Sequence, residues 1–282
     1  MTLIFIPTRS RFHKLAKSTL TQLPRDFDRI TSVVCPRGQG AQYIEAMRVT
    51  GRKANVIECP VDGISNTRFW IGRTAQRLFQ RKFILMDDDL INFAVRVAEN
   101  DWHLRKATDE DLLDMYNWMD TSLDSYAHVS VSPRGNNLIR NSSGYFVGPK
   151  PLALENVRTI RILAYRTEEF LSVLHGRVQV MEDFDVNLQL LENGHKNIQS
   201  YWWTQDQEST SAPGGCSDYR SHQVHEESAR KLVELHPNFV KLRTKVNKTG
   251  VKEFRERLEV TIAWKRAYES SQTAKVTDNA HN

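Results

Sequence analysis

Cysteine is scarce in this chain. The 282 residues include three, Cys35, Cys59 and Cys216, far apart and without a C-x-x-C pair. That spacing excludes a disulfide framework and argues against a thiolate zinc site. An odd, scattered set fits a reducing compartment, so a cytoplasmic location is expected. No run of about 18 apolar residues occurs, so no membrane-spanning helix is expected. The first nine residues lack a basic start followed by a long apolar stretch, so no signal peptide is expected. Internal repeats are absent too. What remains is ordinary globular composition, with 40% hydrophobic and 26% charged residues, and enough length to bury a sizeable core.

Charge is present but uneven. The net charge is +5. Residues 66–82 carry Arg68, Arg73, Arg77, Arg81 and Lys82 and no acid. Residues 241–266 hold nine basic and three acidic side chains, a local +6. Residues 99–124 are acidic. Clustering of this kind points to a polyanionic partner more than the mean charge does, with solvated helix faces as the plain alternative.

The first half alternates strand and helix signals. Strands are expected at 3–7, 30–35, 54–59 and 82–86, with helices at 12–22, 43–49 and 65–80. In the last of these helices, Trp70, Ile71 and Leu78 are expected to face inward. This rhythm implies parallel pairing with covering helices. Further on, Thr108 suits an N-cap, with Asp109, Glu110 and Asp111 in the first turn. Residues 128–132 and 159–165 read as strands, and 183–193 as a helix stopped by Gly194. Residues 134–151 and 204–220 read as loops. Phe254, Leu258 and Ile262 at helical spacing predict a basic helix over 251–268, and a polar, disordered tail is expected from 270 to 282. The organisation read from this is a main domain at 1–240, a basic helical extension at 241–269 and the tail.

The strongest local signal is the apolar run 83–86 ending in Asp87, Asp88 and Asp89. In α/β sheets ligands bind outside the carboxyl ends of strands. Asp87 and Asp89 stand two residues apart, and in an extended chain they point the same way. Two hard oxygen ligands plus substrate phosphates suit Mg²⁺ or Mn²⁺. Three adjacent acids would repel one another without a cation; a solvated turn is the alternative. A second apolar stretch, 178–181, runs into Glu182 and Asp183. Asp183 at a helix start is easily kept ionised and suits a general base, or else simply caps the helix.

The first strand exits through Pro7, Thr8, Arg9, Ser10 and Arg11, and arginines there suit a diphosphate. The loop-to-helix junction Asp62, Gly63, Ser65, Asn66 and Arg68 lies on the same side, where Asn66 and Arg68 could meet a nucleotide. His222 or His225 could complete a metal shell, or be surface histidines.

Together these junctions resemble the GT-A glycosyltransferases, especially the family 2-like group: a β1 exit loop, a D-x-D motif after the fourth strand, and a later E-D pair opening a helix, 94 residues after Asp89. The resemblance implies an α/β fold, a Rossmann-like mixed central sheet flanked by helices, with a C-terminal helical extension. It implies that Asp87 and Asp89, with His222 as third ligand, hold Mn²⁺ or Mg²⁺. The donor, a UDP-sugar, would meet Pro7, Thr8, Arg9, Arg11, Asp62, Asn66, Arg68 and Asp88. Asp183 would be the base of an inverting transfer, and Glu182 and Arg220 would face the acceptor.

More narrowly, the segment from Gly63 to Arg68, the run from Met86 to Leu90, Met181-Glu182-Asp183 and the Gly214-Gly215 segment followed by Arg220 look like the TET-associated glycosyltransferases of bacteriophages. These act on hydroxymethylated pyrimidines in phage DNA. That resemblance implies DNA as acceptor and the host cytoplasm as the location. The competing readings are a GT-A enzyme acting on a glycan or protein, a silent GT-A-like module that binds nucleic acid, and a nucleotidyltransferase. The first strand lacks a G-x-G-x-x-R-like loop, which ranks the last one lower.

Overall fold

The computed structural model describes residues 1–141, 143, 145–207, 221–246 and 256–280. The first half follows the expected alternation. Strand β1 (Leu3–Pro7) leads through a 3₁₀ turn, Phe12–Lys17, into a short helix α1 (Thr19–Gln22). The single helix expected over 12–22 is therefore two short turns, broken at Ser18, which adopts an extended conformation. Then come β2 (Thr31–Pro36), α2 (Gly40–Thr50), β3 (Asn55–Cys59), α3 (Ile64–Arg77) and β4 (Lys82–Met86). Helix α2 ends at Gly51, whose φ of 67° gives the left-handed C-cap that glycine adopts without strain. In α3, Ile71 is fully buried and Trp70 is half-buried against the core, whereas Leu78 is 49% exposed. Leu78 sits at the C-cap, past the last helical turn.

The second half adds β5 (Leu90–Arg96), β6 (Leu104–Lys106), α4 (Asp109–Ser122), β7 (His128–Pro133), β8 (Leu138–Arg140), β9 (Phe146–Pro149), β10 (Ala153–Glu155), β11 (Ile162–Arg166), α5 (Thr167–Ser172), α6 (Glu182–Glu192), β12 (Asn197–Gln207), α7 (His222–Leu235), β13 (Val240–Val246), β14 (Glu256–Ile262) and α8 (Trp264–Ala280). Thr108 caps α4 in a reciprocal capping box with Asp111. Residues 134–151, expected to be loop, contain the hairpin β8–β9. Residues 204–207, also expected to be loop, end strand β12. The rest of that segment, with Gly214, Gly215 and Arg220, lies outside the described residues.

The C-terminal part departs furthest from expectation. Of the helix read over 251–268, residues 256–262 are instead β14, paired antiparallel with β13 from Val240↔Ile262 to Val246↔Glu256, residues 264–268 are helical as the first turns of α8, and residues 251–255, with Phe254, lie outside the described residues. The disordered tail read from 270 is helical to Ala280. Leu258 and Ile262 stand at both helical and strand spacing. The β-branched run Val260, Thr261 and Ile262 favours the strand, and pairing decides it. The extension is thus a hairpin followed by a helix.

Ten strands form one mixed sheet in the order β3-β2-β1-β4-β11-β7-β12-β5-β6, with β10 on β12. Strands β1 to β4 pair in parallel, and β11 enters antiparallel beside β4. Alternation along each strand feeds two cores. Ile84 and Met86 join Ile4, Ile6, Tyr43 of α2 and Met115 of α4 on one face. Phe83 and Leu85 join Phe5, Ile71 of α3, Phe170 of α5 and Val186 of α6 on the other. A third cluster packs Phe184 and Leu188 of α6 against Leu232 of α7, Val240, Val260 and Ala267. Among the described residues no helix is long and apolar enough to cross a membrane.

One buried ion pair ties the edge of this frame. Arg52, 7% exposed, bonds Asp28 and donates to the carbonyl of Leu23 at 2.7 Å. Asp28 also accepts the Lys53 N–H at 2.6 Å. Removing one member leaves the other charge buried and unpaired. Asp28→Ala is expected to lower unfolding stability by about 3–5 kcal/mol in chemical denaturation; a loss below about 1 kcal/mol, the level of an exposed pair, would contradict this.

Candidate active site

The site forms where β4 ends. Strand parity places Asp87 on the face of Phe83 and Leu85, towards α3 and α6. There Arg68, from the second turn of α3, donates Nη2 to Asp87 Oδ1 at 2.7 Å and Nη1 to Glu182 Oε1 at 2.6 Å. Arg68 and Glu182 are both 8% exposed. One guanidinium therefore bridges the end of β4 and the start of α6. Burial opposes its charge, but Glu182 and Asp87 outweigh that and raise its proton affinity.

After Asp87 the chain turns at 88 and 89 instead of continuing extended. Strand alternation therefore does not relate Asp89 to Asp87, and the two acids take different arginines. Asp88 and Asp89 share a second arginine: Arg11 Nη1 lies 2.6 Å from Asp88 Oδ1 and 3.0 Å from Asp89 Oδ2. Thr8 donates to Asp88 Oδ2 at 2.5 Å, and Gln207 donates to Asp89 Oδ2 at 2.8 Å. The turn is pinned from α1: Thr19 bonds the Asp87 carbonyl through its hydroxyl and the Asp88 carbonyl through its N–H at 3.1 Å, and its Oγ1 accepts the Leu90 N–H at 2.9 Å.

The exit loop of β1 is held from α2. The Tyr43 hydroxyl sits 2.8 Å from Thr8 Oγ1 and accepts the Arg11 N–H at 3.0 Å. Beside it opens a small pocket lined by the apolar side chains of Ile6, Leu20 and Val33 and by Thr8, Arg11 and Asp88. Pro7 is the last residue of β1. Arg9 reaches only Asp62, at 3.3 Å and in the open, and the Asn66 side chain bonds the Asp62 carbonyl at 3.0 Å. Arg9 and Asn66 both bond Asp62, and among the described residues none of the three hydrogen-bonds Asp87, Asp88 or Asp89.

Across the cleft, α6 opens at Met181, held at φ 66° with no side-chain cap. Glu182 is taken by Arg68. Asp183 accepts only the N–H of Phe184, at 3.1 Å, among the described residues. Burial pushes its carboxyl up to about 6; the neighbouring Glu182 adds to the shift, and Arg68 and Arg158 oppose it. Burial likewise raises Asp88 to about 6 against the pull of Arg11. Asp87 is raised by burial, and Asp89 and Asp183 add to it. Asp87 thus lies near enough to both Asp89 and Asp183 for their charges to act on it.

One oxygen of that cluster has no partner. Asp89 Oδ1 is buried and unbonded among the described residues. A buried carboxylate oxygen in that state is completed by a donor or a cation, and hard oxygens beside it fit Mg²⁺ or Mn²⁺. His222 does not join Asp87 and Asp89: it starts α7 and faces Glu226 at 3.7 Å, and His225 faces Glu259 at 3.9 Å. Among the described residues no three His, Cys, Asp or Glu side chains cluster so as to hold a metal ion.

Sequence reasoning missed four contributors: Arg158, Arg161, Gln205 and Gln207. Arg161 gives its carbonyl to the Asp87 N–H at 2.9 Å and its guanidinium to Gln205 Oε1 at 3.1 Å. The signal was available in the pairing. An antiparallel strand enters beside the exit of its neighbour, so the arginines before β11 land next to the acids after β4.

A family model described as TET-Associated Glycosyltransferase matches residues 2–215. The chain belongs to that family. This glycosyltransferase is also 23% identical over 246 residues to the beta-glucosyl-HMC-alpha-glucosyl-transferase of Enterobacteria phage T2, covering 82% of this chain and 81% of the relative. The protein of the same name from Enterobacteria phage T6 is 23% identical over 243 residues, covering 81% and 80%. Among solved structures, S. aureus TarS 1–349 aligns with a TM-score of 0.46 at 14% identity over 83% of this chain; the glycosyltransferase spans 66% of that chain.

Asp183 is expected to titrate near pH 6 in the isolated protein, followed by carboxyl carbon NMR. Arg68→Met should move that midpoint upward, because Arg68 opposes the shift. A midpoint near 4 in the unmodified chain would refute the buried environment described.

Proposed function

We propose that the chain moves a sugar from a UDP-sugar to a hydroxyl borne by a hydroxymethylated pyrimidine in DNA, with Asp183 as the base. The observation that carries this reading is the Arg68 bridge. It sets Asp183, at the start of α6, against the acids that end β4, so a proton acceptor and a diphosphate-binding acidic turn share one cleft. The names of the T2 and T6 relatives support DNA as acceptor, with HMC read as hydroxymethylcytosine. They also suggest that the base already carries a glucose. The basic residues of 241–266 suit a polyanion, and Lys241 and Arg243 on β13 are exposed.

In this reading Asp89, through its unbonded oxygen, and Asp87 would hold Mn²⁺ or Mg²⁺, which would supply Lewis-acid charge for the departing diphosphate. The chain's own residues do the rest. The cavity beside Thr8 offers apolar walls to the uridine. Arg11 and Arg68 border the acids and add positive charge near the phosphates. Asp183 takes the proton of the acceptor hydroxyl as that oxygen attacks the anomeric carbon.

Two measurements test this. Incubating hydroxymethylated or glucosylated duplex DNA with UDP-sugars and digesting it to nucleosides should show a mass gain of one sugar. No gain on DNA, with transfer to a glycan or protein instead, sinks the DNA acceptor. Asp183→Asn should reduce kcat by about 10²–10⁴-fold with UDP affinity retained; near-normal turnover removes Asp183 from the role. Because a base works deprotonated and Asp183 is raised to about 6, kcat/KM should be level above pH 6 and fall about tenfold per unit below it.

One observation favours a second stereochemical course. The T2 and T6 relatives are named alpha-glucosyl-transferases, and an α-linked product from an α-linked nucleotide sugar means retention. An Asp183-assisted inversion gives the β-linked product. The anomeric coupling constant of the new linkage in proton NMR separates the two, and an α signal would end the inverting assignment.

A further inference from the structure

Four of the five carboxylates of the cleft already have cations of their own. Arg11 spans Asp88 and Asp89, and Arg68 spans Asp87 and Glu182. Two more guanidinium groups flank the same cleft, on the segment that leads into β11. Arg158 is exposed, and its guanidinium carbon lies 4.7 Å from the ring centre of Phe184. Phe184 is the residue whose N–H bonds Asp183. Arg161 is half-buried and donates to the neutral Gln205. Among the described residues neither arginine is within ion-pair distance of a carboxylate, although Arg158 acts at longer range on Asp183, and Asp87, Asp89 and Asp206 act on Arg161.

Arg161 is also strained. Its φ is 70°, a region that bulky residues rarely adopt. A strained backbone holding a half-buried cation without a carboxylate is costly on both counts, and such features persist where a ligand uses them. Burial weakens its hold on the proton, and Asp87 and Asp89 act against that.

We propose that Arg158 and Arg161 form a phosphate clamp on the acceptor side of the cleft, receiving the phosphodiester beside the target nucleotide. This rests on DNA being the acceptor. A guanidinium stacked on a ring keeps its in-plane N–H donors for a partner with paired oxygens, and a phosphate is such a partner. Held at Arg158, the phosphate fixes the nucleotide next to Asp183. Arg161, whose carbonyl is bonded to Asp87, sits between that point and the donor acids. The same chemistry would also serve the donor's diphosphate, so the test separates the two sources.

The experiment measures, on the full chain, binding of a fluorescein-labelled hydroxymethylcytosine duplex by anisotropy across a salt series, and UDP binding by calorimetry. Arg158→Gln and Arg161→Gln should each weaken DNA binding several-fold, equally for unrelated sequences, and flatten the salt slope by about one. UDP binding should be unchanged. Arg158→Lys should keep the slope, because it keeps the charge. If Arg161→Gln does not fold, the exposed Arg158 carries the test alone. Lost UDP affinity with unchanged DNA binding would reassign the pair to the donor and overturn the clamp. Unchanged binding of both ligands in the variants, with salt-dependent DNA binding in the parent, would overturn the clamp alone. A parent chain that does not bind DNA would overturn the clamp together with the DNA acceptor.

Discussion

Five carboxylates crowd the cleft at the end of β4, and the structure depends on how they are neutralised. Asp87, Asp88 and Asp89 arrive on one strand end; Glu182 and Asp183 arrive on a helix start. Left alone, these groups would repel one another and hold α6 away from the sheet. Arg68 removes that obstacle by taking one acid from each side. It does so from α3, where Ile71 and Ala75, one and two turns on along the same face, pack into the core with Phe83 and Leu85, so the bridge is anchored by burial and not by charge alone. Arg11 does the equivalent for the turn. The result is asymmetric. Asp183 is the one of the five with no arginine hydrogen-bonded to it among the described residues, and it is the one left available to accept a proton.

Backbone strain gathers at the same place. Of the five non-glycine residues with positive φ among the described residues, Ser10 lies in the exit loop, Arg161 bonds Asp87 through its carbonyl and Met181 opens α6. Each such residue costs on the order of 1–3 kcal/mol and persists only when its surroundings fix it. Here the fixing contacts are visible: Gln39 accepts the Ser10 N–H at 2.9 Å, Ile162 pairs with Met86 in the sheet, and Met181 packs in the core beneath α6. Three corners of the cleft are thus set by the frame around them, which suits a site that must hold two substrates in fixed relation.

How much of this was legible in the sequence depends on the range of the interaction that decided each part. The parallel half was readable because each unit is local: an apolar run, a turn, a helix. The acids after β4 were readable because composition changes abruptly at Asp87. Gln205, Gln207, Arg158 and Arg161 were not, because their position follows from β12 and β11 pairing with distant strands. The basic segment misled for a related reason. Phe254, Leu258 and Ile262 fit a helical period, while Leu258, Val260 and Ile262 fit a strand, and only the partner β13, ten residues upstream of β14, breaks the tie.

That hairpin also bears on how the extension is understood. Read as a basic helix appended to a finished domain, it had one task, contact with a polyanion. Folded as β13, β14 and α8, it has an inner face as well. Val240, Val260 and Ala267 share a cluster with Phe184, Leu188 and Leu191 of α6, and Phe184 follows Asp183 directly. A cut at residue 240 would divide that cluster and expose the apolar back of the helix that presents the proposed base. Burying such side chains contributes roughly 1.5–3 kcal/mol each, so the extension supports the cleft from behind. A buried tie of a second kind runs alongside: His236, at the end of α7, bonds Asp185 at 2.9 Å and Glu192 at 2.7 Å, one acid near each end of α6. The basic extension therefore packs against the helix that carries Asp183, and the placement of that carboxylate depends on the extension as well as on the sheet.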